Sequence, residues 1–244
     1  MNTYNSLEIL YPCFIQPKLN GVSCTLDTDG LLISKTGKYF PAVQKAMYWP
    51  SPEYPLIGEL YVHGWPLQKI ISAVTPDLPN DLTKHIALHV YDVDLKLTQD
   101  CRMKILATLN PPSANILIVP TLLVRGSREA GAIYVDWISR GYEGAIYRGW
   151  ISGIWKRKPY KDSEYECVNV IEGKGKRIGR VGKFVLKLPD GRTFNCGGGR
   201  ISYETLKHYF EQPPIGKLIT VRYHSTSVSG IPLCPQFISV RDYE

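Results

Sequence analysis

The chain has 244 residues, 44% of them hydrophobic and 21% charged, with a formal net charge of +7 and an isoelectric point near 9.0. This composition excludes a disordered or fibrous chain and allows one large domain or two modest ones. No apolar run approaches the ~20 residues that span a bilayer, and residues 1–11 show neither a basic nor an apolar leader region, so a cytoplasmic protein with no membrane partner is expected.

In chain order, runs rich in β-branched and aromatic residues at 21–26, 31–34, 56–62 and 86–93, punctuated by Asp-Gly, Thr-Gly or Pro, predict strands. Helical spacing predicts helices over 41–48, 66–74 and 102–109. The clearest amphipathic pattern spans 127–140, where Ala130, Ile133, Tyr134, Trp137 and Ile138 recur every three or four residues behind a Ser-x-Glu start. Beyond Lys158-Pro159-Tyr160-Lys161-Asp162 the pattern changes to short strands at 166–172, 181–188, 218–224 and 237–240. An Asp190-Gly191 hairpin turn and one helix at about 202–211 lie among them. The fold class expected is α+β: a mixed domain over 1–160, then a small closed barrel of the OB type over 161–244, with residues 158–162 as a hinge.

The six cysteines (Cys13, Cys24, Cys101, Cys167, Cys196 and Cys234) form no Cys-x-x-Cys pair, and the five histidines do not cluster near them. Free thiols in a reducing compartment are therefore expected, rather than disulfides or a zinc site. Residues 1–160 carry 16 Lys/Arg against 13 Asp/Glu, and residues 161–244 carry 13 against 9 in about half the length. Lys174, Lys176, Arg177, Arg180, Lys183 and Lys187 fall in one acid-free stretch laced with glycines. Such a run is either a solvated hairpin face or a surface that tracks phosphates, since glycines admit close backbone approach while the cations neutralise charge.

Candidate chemistry begins at Pro17-Lys18-Leu19-Asn20-Gly21, followed by Ser34-Lys35-Thr36-Gly37-Lys38. A lone Lys-x-x-Gly is weak evidence. It is followed, however, by Leu56-Ile57-Gly58-Glu59-Leu60, by His89-Val90-Tyr91-Asp92, by Tyr142-Glu143-Gly144-Ala145-Ile146-Tyr147-Arg148, and by Trp155-Lys156-Arg157-Lys158, whose two lysines at i and i+2 share a strand face. Taken singly, Glu59 reads as a surface carboxylate, Tyr91 as a core aromatic, and Lys156 and Lys158 as a solvated face. Together they are the groups that nucleotidyl transfer to a lysine needs: an amine to attack phosphorus, cations for the developing charge, and carboxylates for Mg²⁺.

In this order and spacing the residues resemble the covalent nucleotidyltransferase superfamily of ATP-dependent DNA ligases, RNA ligases and mRNA capping enzymes. The resemblance covers almost the whole chain and looks closest to minimal, bacteriophage-type ATP-dependent DNA ligases. It implies an adenylation domain of antiparallel sheets flanked by helices, followed by an OB-fold domain. It also implies that Lys18 carries AMP, with Lys156 and Lys158 as catalytic lysines beside it. Nucleotide contacts would fall on Gln16, Lys18, Gly21, Lys35, Glu59, Glu143, Lys156 and Lys158, on Tyr91 stacked against the purine, and on Arg241, in the tail 235–242, toward pyrophosphate. Mg²⁺ would sit at Glu59 and Glu143, and DNA on Lys35, Lys174, Lys176, Arg177, Arg180 and Lys183.

By the same resemblance ATP donates the AMP and nicked duplex DNA is the partner. The protein would be a monomer of a bacterial or phage-infected cytosol, serving DNA replication, repair or recombination. The turn after Lys18 departs from the family pattern: Asn20 stands where most DNA ligases have Asp, and Ser23 where they have Arg. The last lysine of the tail motif is also missing, since Tyr243 and Glu244 follow Asp242. These departures bear on the efficiency of self-adenylation more than on its existence. Only 17 residues precede Lys18, so neither a nicotinamide-gripping segment nor a large helical DNA-binding domain is expected. An RNA ligase, a GTP-using capping enzyme and a non-catalytic module with the same fold are the rival readings.

Overall fold

A computed structural model describes every residue except Pro112, Val228 and residues 242–244. In chain order its first part comprises β1 (Asn2–Thr3), β2 (Cys13–Lys18), β3 (Val22–Leu26), β4 (Leu32–Ser34), α1 (Pro41–Ala46), β5 (Leu56–Tyr61), α2 (Leu67–Val74), β6 (Ala87–Val93), α3 (Gln99–Thr108), β7 (Ile116–Ile118), β8 (Leu122–Val124), α4 (Ser127–Ser139), β9 (Gly144–Arg148) and β10 (Ile154–Arg157). These strands form two five-stranded sheets, in the orders β1-β10-β9-β2-β8 and β4-β3-β5-β6-β7. The sheets are not wholly antiparallel as expected: β1 runs parallel to β10, and β7 parallel to β6.

Each sheet has its own core. Leu26, Leu32, Leu56, Leu60, Val90 and Leu88 pack under α1, α2 and α3 through Val43, Ile70, Val74, Met103 and Leu106. Cys13, Ile15, Ala145 and Tyr147 pack with Ala130 and Trp137 of α4, the face that the 127–140 pattern marks as apolar. The helix expected at 102–109 begins at Gln99 instead. Thr98 donates its hydroxyl to Asp100 at 2.6 Å, and an acid in the first turn suits the positive helix end.

Strand β2, which carries Lys18, escaped the sequence pattern because it is buried along nearly its whole length and contains Gln16 and Pro17. It pairs with β8 only over Cys13–Ile15. Pro17 thus lies where the strand has a neighbour on one side only, which is where strands tolerate proline.

The remaining elements are β11 (Lys161–Glu172), β12 (Val181–Lys187), β13 (Thr193–Gly197), α5 (Tyr203–Glu211), β14 (Leu218–Tyr223) and β15 (Gln236–Arg241). Their strands close a barrel in the order β11-β12-β13-β15-β14. Phe184, Leu186, Cys196, Ile219 and Val221 fill it, with Leu206 of α5 packed against them. Ser202 caps α5 by accepting from the Thr205 N–H at 3.0 Å.

Strand β11 starts five residues before the expected 166, since its first half pairs with β14 and its second with β12. Its exposed Lys161, Asp162 and Glu164 masked it as loop. β13 lies beyond the Asp190-Gly191 turn and was not among the expected runs. The chain divides into two compact units, Met1–Lys158 and Pro159–Glu244. In the second, Tyr160 stacks on His224 at 4.3 Å, His224 Nδ1 donates to Pro159 O at 2.9 Å, and Arg222 pairs with Asp162 at 2.6 Å. Among the described residues no helix is long and apolar enough to cross a membrane, and all six cysteines are free.

Candidate functional site

Strand register brings the sequence-predicted groups of the first unit together. Gln16 lies opposite Ile146 and Lys18 opposite Gly144 on the β2–β9 pair, while Lys156 lies opposite Ile146 on the β9–β10 pair. Residues directly opposite on adjacent strands point to one face, as do residues at i and i+2. Gln16, Lys18, Ile146 and Lys156 therefore share a face, and Lys158, just past β10, continues it. A partly enclosed cavity opens there, lined by Met1, Gln16, Pro17, Lys18, Leu19, Glu59, Tyr91, Ile146 and Arg148.

Two glycines make the approach possible. A Cβ on Gly144 would come within 2.0 Å of Arg157 O, and one on Gly21 within 2.5 Å of Leu60 O and 2.9 Å of Glu59 Cγ. The Gly of the Glu-Gly pair thus lets β9 and the end of β10 close up beside Glu143. The Gly of Lys-x-x-Gly lets its turn lie against β5, where the Gly21 N–H donates to Glu59 Oε1 at 2.8 Å. Any larger residue at either place would push a backbone apart.

Charge at the site is tightly paired. Lys18 Nζ lies 2.5 Å from Glu143 Oε2 and also donates to Leu19 O at 3.0 Å. Lys158 Nζ holds the other oxygen of the same carboxylate. Burial raises the Glu59 carboxyl above its ordinary value; the Gly21 N–H and Lys18 pull it back, Glu143 pushes it up again, and Lys158 lowers it. Next to Glu59 across the sheet, His89 is pulled down to about 4 by burial.

Tyr91 reaches the cavity through an irregularity in the sheet. Gly58 pairs with Val90 and Ile57 with Asp92, leaving Tyr91 as the extra residue. Such a bulge re-aims a side chain. Its hydroxyl is 3.5 Å from Ser23 Oγ, so Ser23 meets the base-stacking candidate rather than lying idle. Asn20 is exposed.

Behind the cavity runs a buried polar network that sequence reasoning missed. Arg148, 3% exposed, donates from Nε to Gln16 Oε1 at 2.6 Å and from Nη1 to Asp92 Oδ2 at 2.8 Å. Asp92 also accepts from Arg102 Nε at 2.9 Å. Gln16 Nε2 donates to Tyr91 O at 2.9 Å and to Thr121 Oγ1 at 2.8 Å. The Gln16 side chain is thus 1% exposed and held by protein partners, while the residue lines the cavity. Two cues were present: Asp92 and Arg148 are charged residues inside strands that otherwise read as core.

Other predicted residues lie apart from this cluster. Lys35 is exposed in the turn after β4 and does not line the cavity. Arg241 Nε donates to Glu164 Oε1 at 2.8 Å and Thr220 Oγ1 at 3.0 Å within the barrel. The remainder of that tail motif, from Asp242 onward, lies outside the described residues.

The basic run starts in a loop between β11 and β12, with a 3-10 turn at Gly175–Arg177, and continues along β12, which carries Lys183 and Lys187. Glu172 Oε1 accepts from Gly179 N at 2.8 Å, and Gly173 N donates to Arg180 O at 2.9 Å. Lys174, Lys176, Arg177, Lys183 and Lys187 are exposed. Lys187 lies 3.7 Å from Glu166. Arg180 is half-buried, donating to Lys176 O at 3.1 Å and lying 5.3 Å from the Tyr203 ring, and so braces the loop.

A two-sheet unit with a lysine-centred cavity, followed by a closed five-stranded barrel, defines the nucleotidyltransferase-plus-OB class of fold. Residues 172–241 match the family model described as DNA ligase OB-like domain. The chain is 28% identical to the DNA ligase of African swine fever virus over 93% of its own length, and it spans 63% of that relative. It matches a solved Lig E DNA ligase with a TM-score of 0.81 at 20% identity, covering 98% of this chain and 97% of that one. It also matches the ATP-dependent DNA ligase of bacteriophage T7 in complex with ATP, with a TM-score of 0.53 at 17% identity, covering 98% and 97%. The chain is thus similar in sequence to viral DNA ligases, and its fold is that of solved minimal DNA ligases.

Proposed function

We propose that this protein is an ATP-dependent DNA ligase that seals nicks in duplex DNA through AMP carried on Lys18. The observation that supports this most is the convergence of Lys18, Lys158 and Glu143 at one point beside a cavity bounded by Glu59 and Tyr91. Lys18 Nζ attacks the α-phosphorus of ATP; an N–P bond forms and the bond to pyrophosphate breaks. Glu143, already against Lys18 Nζ, holds the amine and is placed to take its proton. Lys156 and Lys158 on the same face neutralise charge on the transferring phosphate.

AMP then passes to the 5′-phosphate of the nick, breaking N–P and forming a phosphoanhydride. The 3′-OH next displaces AMP to close the phosphodiester. Tyr91 supplies a ring for the purine. The exposed cations Lys174, Lys176, Arg177 and Lys183 meet DNA phosphates, with Lys35 a further cation of the first unit.

The donor chemistry fits Mg²⁺ in one way. Among the described residues no group of three or more His, Cys, Asp or Glu gathers to cage a metal. Glu59 and Glu143 lie close enough to act on one another electrostatically, and Mg²⁺ commonly takes one or two carboxylates plus substrate phosphates. Those two residues would hold it together with ATP, where it supplies charge neutralisation.

A nicked duplex assay tests the reading. Purified protein with ATP is expected to seal a DNA nick, GTP is expected not to substitute, and a nick flanked by RNA strands is expected to be sealed more slowly. Sealing with GTP alone, or only of RNA, would move the chain to another branch of the superfamily.

A further inference from the structure

We infer that Arg148 is a positioning residue for the nucleotide, acting through Tyr91. The inference rests on the cavity being an ATP site, as proposed above. Arg148 is almost wholly buried among cavity walls, an expensive place for a guanidinium unless each contact is used. One side is anchored: Asp92 accepts from it at 2.8 Å and is itself held by Arg102. The other side reaches Tyr91 by two routes.

Its guanidinium carbon lies 5.4 Å from the Tyr91 ring centroid, within the range of a cation–π contact, which strengthens when desolvated. Its Nε also fixes Gln16 Oε1, which orients the Gln16 amide so that Nε2 donates to the Tyr91 carbonyl. Tyr91 is the bulged residue of its strand and has no partner directly opposite. A ring mounted on a bulge needs lateral support to present one face to a base, and Arg148 supports both its ring and its backbone. The arrangement accounts for a charge where the strand pattern calls for an apolar side chain.

The test measures lysyl-AMP formation with labelled ATP for wild type, Arg148→Met, Arg148→Lys, Tyr91→Leu and the double variant Tyr91→Leu/Arg148→Met, with thermal melts alongside. Arg148→Met is expected to raise the KM for ATP about tenfold or more, while the maximal adenylation rate stays within about threefold, a split that general unfolding would not produce. Arg148→Lys, which keeps the charge, recovers part of the KM. In the Tyr91→Leu background the Arg148 change is expected to add less than about twofold, because both act on one contact.

An unchanged KM in Arg148→Met, or full additivity in the double variant, would overturn the inference while leaving lysine adenylation intact. Should Arg148→Met not fold, Arg148→Lys decides by the same criterion: a raised KM supports the inference and an unchanged one overturns it. Absence of any adduct in wild type would instead defeat the underlying reading of the cavity.

Discussion

The cavity of the first unit and the basic loop of the barrel use charge in opposite ways. At the cavity, Lys18 and Lys158 share Glu143, and Asp92 holds both Arg148 and Arg102, so these charges are matched within a few ångströms and largely withdrawn from the surface. In the loop, Lys174, Lys176 and Arg177 stand exposed on a backbone braced by Glu172 and Arg180. A paired, pre-organised cluster assigns each residue a separate task and makes each loss large. A solvated set of cations acts in common, each member contributing a little and all of them screened by salt. Chemistry and substrate grip are therefore expected to fail differently when mutated.

The largest effect is expected at Glu143. Its replacement by Ala removes the carboxylate shared by both lysines and should lower the adenylation rate by at least ~10²-fold, measured by transfer of label from ATP to protein. Near-normal turnover would break the contrast at its strongest point. Second, Asp92→Ala leaves the Arg148 guanidinium buried and uncompensated, so a loss of about 3–5 kcal/mol in unfolding free energy is expected by denaturant titration. A change within about 0.5 kcal/mol would show that the network carries no such weight.

Third, Glu59→Gln separates stability from function. Burial raises the Glu59 carboxyl above its ordinary value of 4.5, so the folded protein binds the proton more readily than the unfolded chain. The stability this gives is full below pH ~4.5 and is lost as pH rises through the raised value. Glutamine carries no such penalty and keeps an acceptor for Gly21. Hence Glu59→Gln should melt higher than wild type at neutral pH, show no such increase near pH 4, and still lose activity. An increase that is equal at both pH values would contradict the assigned cause.

Fourth, the loop should respond collectively. Replacing Lys174, Lys176 and Arg177 together by Ala is expected to weaken binding to a nicked duplex and reduce the log–log salt slope by about 0.9 for each phosphate no longer neutralised. Each single change should be small. A salt slope unaltered in the triple variant would remove the loop from the DNA surface. The smallest effect belongs to Asp162→Ala, which opens a well-exposed pair with Arg222. About 0–1 kcal/mol, diminishing with salt, is expected in thermal melts.

Much of this was legible in the sequence because the strands and helices follow their hydrophobic periods, and the groups around Lys18, Glu59 and Glu143 keep a recognisable order. What stayed hidden has physical reasons. β2 is buried on both faces and contains a proline, and β11 is charged along its first half, so neither shows the alternation of a half-buried strand. The family resemblance implies that Gln16 and Arg180 are ligand contacts, and it says nothing of what holds their side chains. Only three-dimensional register shows that the first is held by Arg148 in the cavity wall and that the second braces its own loop. Arg148 was hidden for a related reason: a charge at a core position marks an interruption in the pattern until its partner, here Asp92, is located 56 residues away.

The central claim is that Lys18 is the covalent carrier of AMP. Intact-mass measurement of the protein after incubation with ATP and Mg²⁺, followed by peptide mapping, tests it most directly. An AMP adduct on Lys18 that is discharged by pyrophosphate and absent from Lys18→Ala is the predicted result; an adduct on another residue, or its persistence in Lys18→Ala, would contradict the account.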